Sequence, residues 1–285
     1  NDGTLMTMDY ARRYPILTIA CGPTNSIRGA SYLSQLRDAI VIDVGGTTTD
    51  LGVIQHGFPR ESGVAVTIGG VRTNFRMPDV VSIGLGGGSI VRQRPDGTVT
   101  VGPDSVGYRI TEEALCFGGS VCTATDIAVR LGMADLGDRE KVMHLEEGFA
   151  RRAMEAITTL AEDALDAMKV SADDVDVILV GGGSIILPEK LAGARRVTKP
   201  AEGGVANAIG SAISKVSGTC EKLMDYNEIP REQALAQVKA EAVELAVNAG
   251  AVRESVEIID VEDVPLQYYP GNTCRVKVKA AGDLV

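Results

Sequence analysis

Apolar residues along this chain keep two rhythms, one of strands and one of helices. Residues 39–44 (AIVIDV) form a short apolar run closed by Gly45-Gly46, as a buried strand would, and residues 51–55 (LGVIQ) read as its hairpin partner. A third strand is predicted at 64–68. Upstream, Ile27, Ala30, Ser31, Leu33 and Leu36 lie near helical spacing. They predict a helix over 24–36, with Thr24 or Asn25 as its cap after the break at Gly22-Pro23. Residues 90–94 and 98–101 flank Pro95-Asp96-Gly97, where proline presets the first turn residue and glycine accepts positive φ; they predict a hairpin. A helix is expected to begin near Asp126. A long one follows over 142–168, with Phe149, Met154, Ile157, Leu160, Ala161, Ala164, Leu165 and Met168 on one stripe. Next come a strand at 175–180, a turn at Gly181-Gly182-Gly183 and a small-residue helix over 205–216.

Composition shifts near 218–230 (GTCEKLMDYNEIP). Beyond it lie a helix at 231–249 and strands at 255–261 and 274–279. In the last strand Val276 and Val278 alternate with Arg275, Lys277 and Lys279. This tail reads as a small αβ extension. The expected division is therefore 1–218, with a hairpin region inserted at about 80–132, and 219–285.

The 285 residues carry a formal charge of -10, and 45% of them are apolar. That apolar share argues against disorder, and the acidic balance against a general nucleic-acid binder, which needs a basic face for phosphates. No apolar run approaches the ~18–20 residues that cross a bilayer. The five cysteines are scattered without a CxxC pair and there are only two histidines, His56 and His144, so a closed zinc site is not expected and a reducing cytoplasm is. The chain opens on Asn1 in mid-flow, without a signal-peptide pattern, and reads as a piece of a longer protein.

The strongest chemical signal is Asp43-Val44-Gly45-Gly46-Thr47-Thr48-Thr49-Asp50 at a strand end. Paired glycines let backbone N–H groups approach phosphate oxygens, and the threonines add hydroxyls. A strand-end carboxylate, Asp43, can hold a divalent cation through water, since Mg²⁺ keeps part of its hydration shell. A second signal is the strand at 175–180 running into Gly181, Gly182, Gly183 and Ser184, where a purine or ribose could lie against bare backbone. Neither GGGSII (181–186) nor GLGGGS (84–89) completes a dinucleotide GxGxxG fingerprint. The 84–89 segment is open between an anion or substrate loop and a glycine turn before the hairpin.

Order and spacing add specificity. A helix carrying Gly22-Pro23-Thr24 precedes Asp-x-Gly-Gly-Thr; strand-Gly-Gly-Gly-Ser follows, then the small-residue helix after Gly203-Gly204. This series resembles the second half of the actin/Hsp70/sugar-kinase ATPase superfamily. Within it, CGPTNSIRGASYL (21–33), IVIDVGGTTTDLGVI (40–54), SIGLGGGSIV (82–91), VGPDSVG (101–107), TATDIAVRLG (123–132) and VPLQYYPGN (264–272) resemble the hydantoinase/oxoprolinase family. The resemblance implies an α/β fold of the actin-like ATPase (ribonuclease H-like) type with a mixed sheet, and two connecting helices that cross closely at a hinge. It implies ATP and Mg²⁺ as cofactors. Asp43 would organise the metal and water, Gly45, Gly46, Thr47 and Thr48 would hold phosphates, and Gly181 to Ser184 would face the nucleoside. The implied activity is ATP-dependent opening of a cyclic amide of the hydantoin or 5-oxoproline class, by phosphorylating the ring carbonyl. Phosphorylation makes a leaving group and breaks the amide resonance. The implied partners are that substrate, the amino-terminal half of the protein and a second hydrolase subunit. Family members commonly show SGPAGG where residues 21–26 read CGPTNS, and often a histidine where Val81-Ser82 stand.

Other readings remain open. The same loops could serve a non-enzymatic ATP-driven switch, regulatory or chaperone-like. An activator of a radical dehydratase would need cysteines for an iron–sulfur cluster, and the scattered cysteines oppose it. Asp126 could act at the site or cap a helix. Cys21, Cys116 and Cys122 could be reactive or simply buried. Glu146 and Glu147 read as a solvated helix face, and Asp173, Asp174 and Asp176 as a turn before a strand.

Overall fold

In a computed structural model the described residues are 3–62, 67–73, 77–269 and 271–284. Packing divides them into two compact units: residues 20–212, and residues 3–19 with those from 213 onward. The composition shift puts the boundary at 218/219; by packing, the second unit begins at residue 213 and also takes in the short helix α1 (Met8–Arg13).

The 20–212 unit opens with α2 (Cys21–Ser34). This helix starts three residues earlier than expected. Pro23 falls in its first turn, where an N–H would have no helical partner, so proline does not break it. Thr24 does not cap; its hydroxyl donates to the carbonyls of Ala20 and Cys21. Next come β1 (Ala39–Val44), β2 (Thr49–Gln55), β3 (Phe58–Pro59), the small pair β4 (Thr67–Ile68) and β5 (Val71–Arg72), and β6 (Val80–Ile83). Of the strand expected at 64–68, only the last two residues lie among those described. The hairpin β7 (Ser89–Gln93) and β8 (Val99–Ser105) closes around Pro95-Asp96-Gly97, with Gly97 at φ 86°.

Three helices follow: α3 (Ile110–Glu113), α4 (Ala124–Arg130) and α5 (Glu147–Met168). The long helix is shorter than predicted. A 3-10 turn over Arg139–Val142 is followed by a break, held where the Arg130 guanidinium donates to the Leu145 carbonyl. β9 (Val175–Val180) and β10 (Ala194–Thr198) follow, then α6 (Ala206–Ala212), which also ends earlier than predicted.

The main sheet runs β10-β9-β1-β2-β3, with β6 also on β2. β1 is parallel to β9 and antiparallel to β2, so the sheet is mixed. Alternation along β1 sends Ile40, Ile42 and Val44 to one face, against Ile157, Ala161 and Leu165 of α5. Ala39 and Val41 face the other side, with Ile27 and Ala30 of α2 and Ala206 of α6. Asp43 follows the odd positions and so lies on the α2 face. Gly52 makes room there: a Cβ at Gly52 would sit 2.3 Å from the Ile27 Cδ1.

The second unit contains a three-stranded sheet where two strands were predicted. Its members are β11 (Val216–Asp225), α7 (Arg231–Asn248), β12 (Glu257–Pro265) and β13 (Thr273–Gly282), with sheet order β11-β13-β12. β11 escapes a hydropathy reading because its buried face is made of Val216, Gly218 and Cys220. A Cβ at Gly218 would lie 2.2 Å from the Ala246 N, so α7 packs directly on bare backbone. Val276 and Val278 bury against Val238, Ala242 and Ala246 of α7. Among the described residues no helix is long and apolar enough to cross a membrane.

Candidate functional site

β1 carries Asp43 to the edge of a four-residue turn. The Gly45 N–H donates to the Thr48 carbonyl at 2.8 Å and closes that turn. Among the described residues, the N–H groups of Gly46, Thr47 and Thr48 have no protein acceptor, and all three residues are exposed. Three free, neighbouring donors with two hydroxyls are the donor set that an anion-binding nest uses.

The 84–89 segment packs on this turn. The Gly87 N–H donates to the Gly45 carbonyl at 3.0 Å and the Gly88 N–H to the Gly46 carbonyl at 2.7 Å. The Gly86 N–H donates to the Ser89 Oγ at 2.8 Å. A Cβ at Gly86 would stand 2.6 Å from the Gly46 carbonyl carbon, so glycine is required there. All three glycine donors are thus used within the protein. The segment is a buttress under the phosphate-loop candidate rather than a second anion loop. The Thr125 N–H and hydroxyl, each at 2.9 Å from the Gly87 carbonyl, hold it from the other side.

The 181–184 segment joins the same layer. The Gly183 N–H donates to the Val44 carbonyl at 2.8 Å. Gly181 has φ +87°, and a Cβ on it would meet the Asp43 Oδ1 at 2.3 Å; Gly182 faces open space. The structure therefore gathers Asp43, Gly45, Gly46, Thr47, Thr48, Gly181, Gly182, Gly183 and Ser184 at the ends of β1 and β9. In open α/β sheets, ligands bind beyond the carboxyl ends of such strands.

Asp43 is half-buried. Burial pushes its carboxyl up; a hydrogen bond from Ser26 lowers it, Asp50 raises it again, and the net direction is up. Asp50 lies directly across the hairpin from Asp43 and accepts from the Ser82 hydroxyl. A cation beside this carboxylate pair would offset both the burial and the like charge. Sequence reasoning passed over Asp50 as a site residue, although the turn length alone sets it opposite Asp43. Nothing in the sequence marked Ser26.

The two small-residue helices cross backbone to backbone. A Cβ at Gly29 would come within 1.9 Å of the Ala206 carbonyl oxygen, and one at Gly210 within 1.8 Å of the Asn25 carbonyl oxygen.

Asp126 stands apart from this site. It caps α4 through a capping box with Thr123, and its buried carboxylate also accepts from the Cys116 N–H at 2.7 Å and the Leu115 N–H at 3.2 Å. Burial, reinforced by Asp126, pushes the Cys116 and Cys122 thiols up to about 12, which leaves them protonated and unreactive. Glu147 pairs with Arg151 along α5. Asp176 lies within β9 rather than in the preceding turn, paired with Arg195 at 2.7 Å. His56 takes φ 54° between β2 and β3, at the end of β2 away from the loops.

Comparison with known proteins agrees with this architecture. Over 115 residues the chain is 31% identical to the acetophenone carboxylase gamma subunit of Aromatoleum aromaticum, a match covering 39% of this chain and 16% of that protein. A nucleotide-free acetone carboxylase, from work on ATP-dependent acetone carboxylation, superposes with TM-score 0.66 at 19% identity, covering 94% of this chain and 50% of that one. The ATP-dependent caprolactamase of Pseudomonas jessenii superposes with TM-score 0.64 at 16% identity, covering 92% and 49%. The chain thus spans about half the length of these solved relatives, and its mixed α/β fold is theirs, of the actin-like ATPase type. The profile of the hydantoinase/oxoprolinase family matches residues 1–175, more than half of the sequence, and the chain belongs to that family.

Proposed function

We propose that this chain forms the nucleotide-binding wall of an ATP-dependent enzyme that phosphorylates the carbonyl oxygen of a cyclic amide to open the ring. The observation that carries this reading is the outward nest of Gly46, Thr47 and Thr48 N–H groups beside half-buried Asp43, braced from below by two further glycine loops. The donor set fits Mg·ATP. Mg²⁺ is commonly held through one or two carboxylates together with substrate phosphates. A Cβ at Gly46 or Gly182 would meet nothing within 4 Å, so there is open space for a ligand over both loops.

In this reading Asp43 would hold Mg²⁺ through water, and the N–H groups of Gly46, Thr47 and Thr48 would bind phosphate oxygens, while Gly45, expected among the phosphate binders, instead spends its N–H on closing the turn. Gly181 to Ser184 lie against the nucleoside. Bound Mg·ATP supplies the transferable phosphoryl group and neutralises its developing charge. The chain's own part is positioning, since phosphoryl transfer asks mainly for alignment and fixed dipoles. The other wall of the cleft belongs to the rest of the polypeptide or to a partner subunit. A second reading, ATP-driven carboxylation of a ketone, is favoured by the names of the two carboxylase relatives. Both chemistries begin with an activated carbonyl oxygen.

The test is ATP hydrolysis by the full polypeptide with hydantoin, 5-oxoproline, or a ketone plus bicarbonate. Stimulation by a cyclic amide supports the first reading, and stimulation only by ketone and bicarbonate the second. No stimulation by any of them leaves a nucleotide switch. Asp43→Ala is expected to abolish turnover with an unchanged circular dichroism spectrum; retained turnover would remove Asp43 from the mechanism.

A further inference from the structure

The segment that follows β8 is pinned to the phosphate-loop candidate and to its buttress. The Val106 N–H donates to the Gly88 carbonyl at 3.0 Å. The Ser105 hydroxyl accepts from the Gly107 N–H at 3.1 Å and donates to the Gly46 carbonyl at 3.4 Å. Gly107 has φ 59°, and a Cβ on it would lie 3.8 Å from the Thr47 Cγ2. The Ile110 Cδ1 lies 3.9 Å from where a Cβ at Gly87 would stand. Between these anchors, in a 3-10 turn over Gly107–Arg109, is Tyr108, which is 93% exposed. Its neighbour Arg109 is paired with Glu113 at 2.8 Å. A single exposed aromatic residue is ordinary on a protein surface. This one differs because the backbone on both sides of it is fixed against the site loops, so the ring is held at their rim. The phosphate-loop turn is also met at two different ends. Gly183 approaches it at Val44 and Gly45, whereas Ser105 and Gly107 approach it at Gly46 and Thr47.

We propose that Tyr108 contacts the phosphoryl acceptor, stacking its ring on a planar cyclic amide such as hydantoin. The proposal rests on the reading of the site as a nucleotide wall that serves a cyclic amide. In that reading the nucleoside lies along Gly181 to Ser184, and the phosphates extend over the N–H nest of Gly46, Thr47 and Thr48. The acceptor carbonyl must meet the terminal phosphoryl group in line, with reacting atoms about 3–3.5 Å apart. Its ring therefore lies past the nest, away from the nucleoside, and that is the end of the turn beside Gly107 and Tyr108. A bare glycine turn offers a planar ring little surface. An aromatic face supplies that surface, and a tyrosine has few rotamers to lose in doing so.

The experiment measures steady-state ATP hydrolysis by the full polypeptide, with hydantoin and ATP varied in turn. Wild type, Tyr108→Phe and Tyr108→Ala are compared, with a thermal melt of each. Tyr108→Ala is expected to raise KM for hydantoin about two- to tenfold, the range of an aromatic contact, while KM for ATP holds. Tyr108→Phe keeps the wild-type KM, since the ring face and not the hydroxyl makes the contact. Melting temperatures stay level, because so exposed a side chain packs on almost nothing in the folded chain. A wild-type KM for hydantoin in Tyr108→Ala would overturn the assignment. A rise in KM for ATP as large as that for hydantoin would overturn it too, by tying Tyr108 to the nucleotide or to the fold. Equal losses in Tyr108→Phe and Tyr108→Ala would overturn the stacking and leave the hydroxyl as the contact. If wild type shows no hydrolysis stimulated by hydantoin, the cyclic-amide reading itself fails and the assignment falls with it.

Discussion

A methyl group added at Gly46 would point into open space, whereas the same methyl at Gly183 would lie 2.3 Å from the Gly45 carbonyl oxygen. The two glycines therefore serve different ends. Gly46→Ala is expected to leave stability unchanged or slightly raised, by up to about 1 kcal/mol, since it removes unfolded-chain freedom without a clash. It should still weaken nucleotide binding, because the methyl occupies the space over the N–H nest. Gly183→Ala should cost about 1–3 kcal/mol, as overpacking does, and weaken binding as well. Urea denaturation beside ADP titration separates the two; equal stability losses would contradict the distinction. The sequence shows both residues as members of glycine pairs and triplets. Only the contact between the loops sorts them, because the clash partner of Gly183 lies well over a hundred residues away. Asp126 was legible as a cap, from Thr123 three residues before it. Its bonds to Leu115 and Cys116 were not.

Among the elements, the end of β11, the start of α7 and β12 meet at one carboxylate. Asp263 accepts from the Tyr226 hydroxyl at 2.8 Å and the Arg231 Nε at 2.6 Å. Burial works to raise the Asp263 pKa, but the bonds from Tyr226 and Arg231 outweigh it and hold it below the usual carboxylate range. A depressed carboxylate contributes stability that is present above its unfolded pKa and is lost as pH falls through the folded value. The unit from residue 213 onward should therefore melt at lower temperature as pH drops below the carboxylate range. Asp263→Asn should flatten that dependence and lower stability at neutral pH. On the alkaline side, burial and then Asp263 push Tyr226 up to about 12, so the neutral phenol is favoured and its contribution fades above pH ~10. A melting temperature in Asp263→Asn that tracks wild type at every pH would dismiss this tie. β11 itself shows why one strand was missed. Gly218 and Cys220 supply a buried face too small to register as hydrophobic, and its role is to let α7 approach.

At the scale of the whole molecule, three glycine loops gather at one end of a mixed sheet, and in the proposed reading they supply one wall of a cleft. Only one Asp-x-Gly-Gly-Thr occurs in the 285 residues, and the solved relatives are about twice as long. In the proposed reading, ADP with Mn²⁺ binds this chain weakly by calorimetry and binds the full polypeptide more tightly. Equal affinities would mean that the site is complete within these residues.

The sequence by itself determined the strand–turn–strand at 39–55, the hairpin at Pro95-Asp96-Gly97, the stripe of α5 apart from Leu160, which is exposed, and the family. These features depend on neighbours within a few residues, so periodicity and turn chemistry are sufficient to specify them. The tertiary structure decided that 84–89 braces the phosphate-loop candidate, that Asp126 is spent on backbone donors, that β11 is a strand, and that Asn207 of α6 reaches Gly22 and Ser26 of α2. Each of those depends on a partner distant in sequence or on an approach between backbones, which chain order does not encode locally.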